Sequence, residues 1–277
     1  MGKIFTVCNQ KGGVGKTTTA VNLSAFFALA GKKTLLVDID PQGNATSGVG
    51  IEKNTIEHTI YPVLLERVKL ESIIKPTNIE NLSIVPSNLN LTGAEVELVG
   101  AIGREFKLKN ALQLIRNSFD LIIIDSPPSL GLLTVNALTA CDSAIIPIQC
   151  EYYALEGLSQ LTKTLELVRQ NLNPSLRLEG VLLTMADYRT KLTSEVIKEA
   201  RNYFKDKVYQ TVIPRNIKLT EAPSFGKPIS VYDIASVGAQ MYQQLANEIL
   251  GNELSQDLTK KDVMEKVVLE NEVSGGE

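Results

Sequence analysis

Tryptophan is absent and only 5% of the 277 residues are aromatic, so any core must be built mainly from aliphatic side chains. Cysteine is scarce. Cys8, Cys141 and Cys150 are odd in number, unclustered and without zinc-ligand spacing, which excludes a disulfide framework and suits a reduced, cytosolic compartment. With His58 the only histidine, no Cys/His/Asp nucleophilic arrangement is available, and His58 itself is expected at the surface. No uninterrupted apolar run approaches ~20 residues, so no transmembrane helix is expected. Nor does the N-terminus carry a basic and then apolar signal segment. A net charge of only -3 gives no global pull toward nucleic acid or anionic membrane; any such binding must come from a local patch.

What is present is an alternation of short apolar runs with helical patterns. KIFTVC (3–8), KTLLVDID (33–40), ENLSIVPS (80–87), LIIID (121–125), SAIIPIQ (143–149), LEGVLLTMAD (178–187) and VYQTVIP (208–214) read as strands. The near-continuous apolar ones are of the type buried on both faces of a parallel sheet. Helices are expected over 16–30, around 63–74, within 91–117, after the 143–149 and 178–187 strands, and near 237–250. The pattern predicts one α/β domain over 1–251, a doubly wound, mostly parallel sheet flanked by helices. From about Glu253 onward the chain carries seven acids and three lysines, so 252–277 is expected to be an acidic C-terminal tail, a weak helix or mobile.

The first strand breaks into NQKGGVGKTTTA (9–20), and a helix follows. A strand, a glycine-rich turn and a helix form the context that makes a glycine motif a phosphate site. The spacing departs from the ordinary phosphate loop, since Gln10 stands where the first glycine belongs and Lys11 adds a second cation. Gly12, Gly13, Val14 and Gly15 would present backbone N–H groups to a nucleotide. Lys16 would reach the β and γ phosphates, Thr17 would ligate Mg²⁺, and Thr18 would bond the α phosphate.

Parallel strands end at one sheet edge, where ligands bind. Asp38 and Asp40 close the second strand and Asp125 closes LIIID, so all three fall near the glycine loop. Asp125 fits a Walker B carboxylate holding Mg²⁺ through water. Of Asp38 and Asp40, one would support the metal and the other orient an attacking water.

KGGVGKTTT (11–19), LLVDIDPQGN (35–44), LIIIDSPPSLG (121–131), IPIQCEYYALEGL (146–158) and VIPRNIKLTEAPSFGKPI (212–229) together resemble the deviant Walker A ATPases, most closely the ParA/Soj-type chromosome-partitioning proteins. The resemblance runs from residue 1 to about 250. It implies that Lys11 crosses to the triphosphate of a second subunit in an ATP-bound homodimer, which accounts for the extra cation. It also implies that Asp40 positions the attacking water, that Asp125 and Thr17 serve the metal, and that Pro214 and Asn216 hold adenine; of the Asp38 and Asp40 pair, this leaves Asp38 to support the metal. ATP and Mg²⁺ are the implied cofactors.

Relatives of this kind differ in their partners. The tail is too acidic, and TKKDVMEKVV (259–268) too short and too balanced in charge, for a MinD-like membrane helix. No cysteine lies between Cys8 and Cys141 to hold an iron–sulfur cluster. With the phosphate loop starting at residue 11, no N-terminal helix-turn-helix is expected. Nine basic residues against four acids lie between Arg189 and Lys227, so DNA contact is expected there, non-specific and on double strands, with Arg189, Lys198, Lys218 and Lys227 as nominees. The resemblance further implies a ParB-type centromere-binding partner that stimulates hydrolysis, a nucleoid location and no membrane association. A MinD-like membrane ATPase, a biosynthetic ATP-dependent ligase and a nucleotide-gated DNA-binding module without turnover remain the alternatives.

Overall fold

The computed structural model describes residues 1–151 and 156–251. The expected acidic tail and part of the 146–158 block lie outside the described residues. Among the described residues, eight strands form one sheet: β1 (Lys3–Val7), β2 (Thr34–Asp38), β3 (Lys75–Pro76), β4 (Leu82–Val85), β5 (Leu121–Asp125), β6 (Ser143–Gln149), β7 (Arg177–Ala186) and β8 (Val208–Pro214). Their order is β3-β4-β2-β5-β1-β6-β7-β8. All pairs are parallel except the two-residue β3, which runs antiparallel to β4 at the edge.

Every residue of β5 is buried, and alternation divides its side chains between two cores. Ile122 and Ile124 join Leu35, Val37 and Ile4 on one face. Leu121 and Ile123 join Leu36, Phe5 and Val7 on the other. The first core is covered by helices Lys107–Ile115, Leu132–Ala140 and Lys191–Phe204, through Leu112, Leu138 and Val196. Helices Lys16–Leu29 and Val237–Leu250 cover the second, through Phe26, Tyr242 and Leu245. Both faces are shut off from water, which is why the strands are apolar throughout rather than alternating.

The expected helix around 63–74 is broken. Ile60–Leu64 is helical, Glu66 takes a left-handed φ of 58°, and Leu70–Ile73 forms only a 3₁₀ turn. Helical structure within 91–117 is likewise split into Thr92–Leu98 and Lys107–Ile115, with Gly103 at φ 63° between them.

The architecture positions the site through β1. Its neighbours are β5 on one side and β6 on the other, so the chain reverses its winding there and leaves a crevice beyond the carboxyl ends of the strands.

Candidate functional site

The glycine loop fills that crevice. Gly13 and Gly15 have left-handed φ values of 74° and 88°, a conformation that glycine adopts without steric cost. Helix Lys16–Leu29 starts at Gly15 with no side-chain cap, so its first N–H groups are left for an anion. Two contacts with distant strands and one within the loop set its shape. Asn9 donates from Nδ2 to the Pro147 carbonyl (2.7 Å) and accepts from the Lys11 N–H (3.1 Å). Thr184 Oγ1, near the end of β7, donates to the Val14 carbonyl (2.9 Å). Neither Asn9 nor Thr184 was singled out from the sequence.

The two lysines occupy different surroundings. Lys16 is only 6% exposed and its Nζ donates back to the Lys11 carbonyl (3.0 Å). Burial lowers its pKa, while Asp125 and Asp40 pull it back up. Lys11 instead has a side chain 43% exposed, paired to Glu151 at 3.4 Å. Glu151 also faces Arg215 at 3.8 Å. Cys8, beneath the loop, is fully buried, and that burial pushes its thiol up to about 12; it packs rather than reacts.

The three aspartates converge as expected but with unequal partners. Asp38 is buried and saturated: Oδ2 accepts from the Thr46 N–H (2.8 Å) and hydroxyl (2.7 Å), and Oδ1 from the Asp40 N–H (3.0 Å). Asp40 accepts from the Gln42 N–H (2.9 Å), and its carbonyl accepts from Ser87 Oγ (2.8 Å). Asp125 is fully buried, and neither carboxylate oxygen has a well-aligned hydrogen-bond partner among the described residues. Burial raises its pKa well above the carboxylate range, the Asp38 charge adds to this, and the nearby Thr17 hydroxyl and Lys16 ammonium oppose it. An orphaned buried carboxylate beside a threonine hydroxyl and an ammonium fits a divalent cation as the absent partner.

A cavity of about 310 Å³ joins Gly15 and Thr18 to Pro214 and Asn216, with Thr184 and Met185 on its wall. The Asn216 side chain caps helix Ile217–Glu221 through the Leu219 N–H. Met185 holds a left-handed φ of 53°, a strained state for a non-glycine residue of the kind that gathers at ligand sites.

The DNA nominees are less united. Arg189 is 87% exposed but held by Asp187, Nε to Oδ1 at 2.8 Å and Nη2 to Oδ2 at 2.6 Å. Those hydrogen bonds bring Asp187 down to about 2. Lys218 pairs with Glu221 at 2.9 Å. Lys198 lies on helix Lys191–Phe204, which covers the first core, while Lys218 and Lys227 lie on segments packed against the second.

Comparison with known proteins matches residues 2–178 to a family described as AAA domain. Sporulation initiation inhibitor protein Soj of Bacillus subtilis (strain 168) is 60% identical over 252 residues, 91% of this chain and 100% of that protein. Chromosome partitioning protein ParA of Myxococcus xanthus is 55% identical over 250 residues, 90% of this chain and 88% of that protein. The chain belongs to the Soj/ParA family of chromosome-partitioning ATPases. A solved structure of cobyrinic acid a,c-diamide synthase from Mycobacterium smegmatis, with bound ADP and magnesium, superposes with a TM-score of 0.80 at 37% identity, over 90% of this chain and 94% of that one. The Soj/ParA membership agrees with the P-loop fold and the nucleotide-type site just described.

Proposed function

We propose that this Soj/ParA family member is an ATP-driven dimerisation switch for chromosome or plasmid segregation. With ATP it pairs with a second copy, and the pair binds nucleoid DNA without sequence preference. Hydrolysis, stimulated by a ParB-type centromere-binding partner, dissolves the pair.

The observation that carries this reading is the division between the two lysines. Lys16 is turned onto its own loop, ready for its own subunit's phosphates. Lys11 stands at the mouth, its ammonium tied among the described residues by an exposed ion pair to Glu151. Such a pair is worth ~0–1 kcal/mol, so a triphosphate brought by a second subunit would displace Glu151 readily.

In this scheme the loop N–H groups, Lys16 and Thr18 bind the phosphates, and Pro214 and Asn216 flank the base. Asp125 and Thr17 would hold magnesium, which when bound would neutralise charge on the β and γ phosphates. Asp38, its oxygens already engaged, supports that side of the site by fixing the loop. Asp40 orients the attacking water, its main chain pinned by Asp38 and Ser87.

The similarity to a protein named a diamide synthase favours, as a second reading, a biosynthetic ligase whose turnover needs a small-molecule acceptor. Light scattering and duplex-DNA binding with ADP, ATP and a slowly hydrolysed analogue separate the two. Dimers and DNA binding with ATP and the analogue alone are expected. Equal DNA binding with ADP, or no dimer with ATP, would sink the switch.

A further inference from the structure

Gly50 and Gly226 meet backbone to backbone. Gly50 follows helix Asn44–Gly48, at the end of the loop that carries Asp40. Gly226 ends the segment that carries Lys218 and immediately precedes Lys227. A Cβ on Gly226 would lie 3.1 Å from the Gly50 Cα and 3.2 Å from the Ser47 carbonyl oxygen; one on Gly50 would lie 3.2 Å from the Gly226 carbonyl oxygen. Both residues have left-handed φ, 85° and 62°. Beside this contact the two segments are held apart by a cleft of about 380 Å³, lined by Thr18, Asn44, Ser47, Leu219, Pro223 and Lys227.

A second tie crosses nearby. Asn22 is buried, donates from Nδ2 to the Thr18 carbonyl (2.8 Å), and accepts from the Ile229 N–H at Oδ1 (2.7 Å). It joins the first turn after the phosphate loop to the chain two residues beyond Lys227.

We propose that the Gly50–Gly226 contact is the joint through which the nucleotide-sensing loop sets the position of Lys218 and Lys227, so that DNA affinity follows the nucleotide. The inference rests on the proposed function, in which these lysines meet DNA in the ATP form. Side chains can absorb a small displacement by changing rotamer, whereas backbone packed on backbone cannot. A shift of helix Asn44–Gly48 is therefore passed to Gly226. The adjacent cleft gives the segment room to move as a body, and Asn22 supplies a fixed point at its far end. Small displacements at an effector site become larger ones where the element between has two packings.

The test compares Gly226→Ala and Gly50→Ala with Gly103→Ala. Gly103 has a similar φ, 63°, but nothing within 4 Å of a Cβ, so it reports backbone strain without the joint. Nucleotide titration, light scattering and anisotropy of a labelled duplex are measured with ADP and with ATP. The joint variants should bind nucleotide and dimerise with ATP yet lose about tenfold or more in ATP-dependent DNA affinity, within the range of measured coupling effects. Gly103→Ala should behave as the wild type. The joint is overturned if DNA affinity in both variants matches the wild type, or if Gly103→Ala loses as much. A wild type that binds DNA equally with ADP and ATP refutes the proposed function itself. Should the joint variants fail to fold, hydrogen exchange on the wild type decides: amides of Gly226, Lys227 and Ile229 should slow with ATP relative to ADP, and unchanged exchange removes the joint.

Discussion

Asp38 and Asp125 stand side by side in register at the ends of adjacent parallel strands, one carboxylate saturated with donors and the other bare. Asp38 accepts three hydrogen bonds within its own loop, and the oxygens of Asp125 accept none of good geometry among the described residues. Two neighbouring aspartates therefore have different physical duties.

The contrast predicts opposite stability effects. Asp38→Ala leaves the buried Thr46 and Asp40 N–H groups without an acceptor and should destabilise the nucleotide-free protein by ~1–3 kcal/mol or more. Asp125→Asn removes a buried charge that the nearby Thr17 hydroxyl and Lys16 ammonium offset only in part, so urea unfolding should show it at least as stable as the wild type while magnesium-dependent turnover disappears. Burial holds both carboxyls above their ordinary range, so the folded state binds protons more tightly than the unfolded chain. This contribution to stability is present at low pH and is lost as pH rises above ~4 through the raised values. Asp125→Asn should flatten that limb of the pH–stability profile. Equal destabilisation by both variants would contradict the assignment.

Asp40→Ala should keep ATP binding and dimerisation but lower turnover by ~10²-fold or more, the scale for losing a positioned catalytic group. A single-turnover assay on the preformed ATP dimer reads this directly. Near-normal turnover takes Asp40 out of the chemistry.

Lys16→Ala should abolish nucleotide binding by the monomer, whereas Lys11→Ala should leave it intact and lose the ATP dimer. Truncating one partner of a closed, poorly hydrated charge pair costs ~2–5 kcal/mol, and a two-fold dimer contains the pair twice. Light scattering with ATP and magnesium, beside a nucleotide titration, separates the two variants. Identical behaviour would mean that Lys11 serves its own subunit.

Arg189 has to leave Asp187 before it can meet a DNA phosphate. Asp187→Asn weakens that clamp and should tighten ATP-dependent DNA binding, while Arg189→Ala should weaken it on every sequence and reduce the salt slope by ~1. In an NMR titration of the wild type the Asp187 carboxyl should titrate near 2, returning to the ordinary carboxylate range in Arg189→Ala. The pair's stabilisation is thus present above ~4 and lost as pH falls through the depressed value. DNA affinity unmoved by Asp187→Asn would show that Arg189 is not a DNA contact.

Much of this was legible in the sequence because its signals are local. LIIID and SAIIPIQ match β5 and β6 residue for residue, since strands buried on both faces must be apolar without interruption. The glycine loop was legible for the same reason: its strand, turn and helix are contiguous. β3 was not, being two residues long with a proline at the sheet edge. The Leu and Ile spacing around 63–74 suggested one helix, which the left-handed Glu66 interrupts. Thr184 and Asn9 escaped notice because each acts on a strand or loop far along the chain, a meeting that only the strand order arranges. The clamp on Arg189 escaped for a different reason: Asp187 is two residues away, but counting charges does not reveal which are already neutralised.

The strand order also has a consequence during synthesis. β1 leaves the ribosome long before its hydrogen-bonding neighbours β5 and β6, residues 121–125 and 143–149. Its residues must wait unpaired until residues 121–125 have emerged, and such long-range pairing is slow. Until then the glycine loop has no strand beneath it and no Thr184 to hold it. A nascent chain therefore gains its nucleotide site only late in synthesis, and a chain stalled before β5 exposes the apolar β1 with neither of its sheet neighbours to pair to.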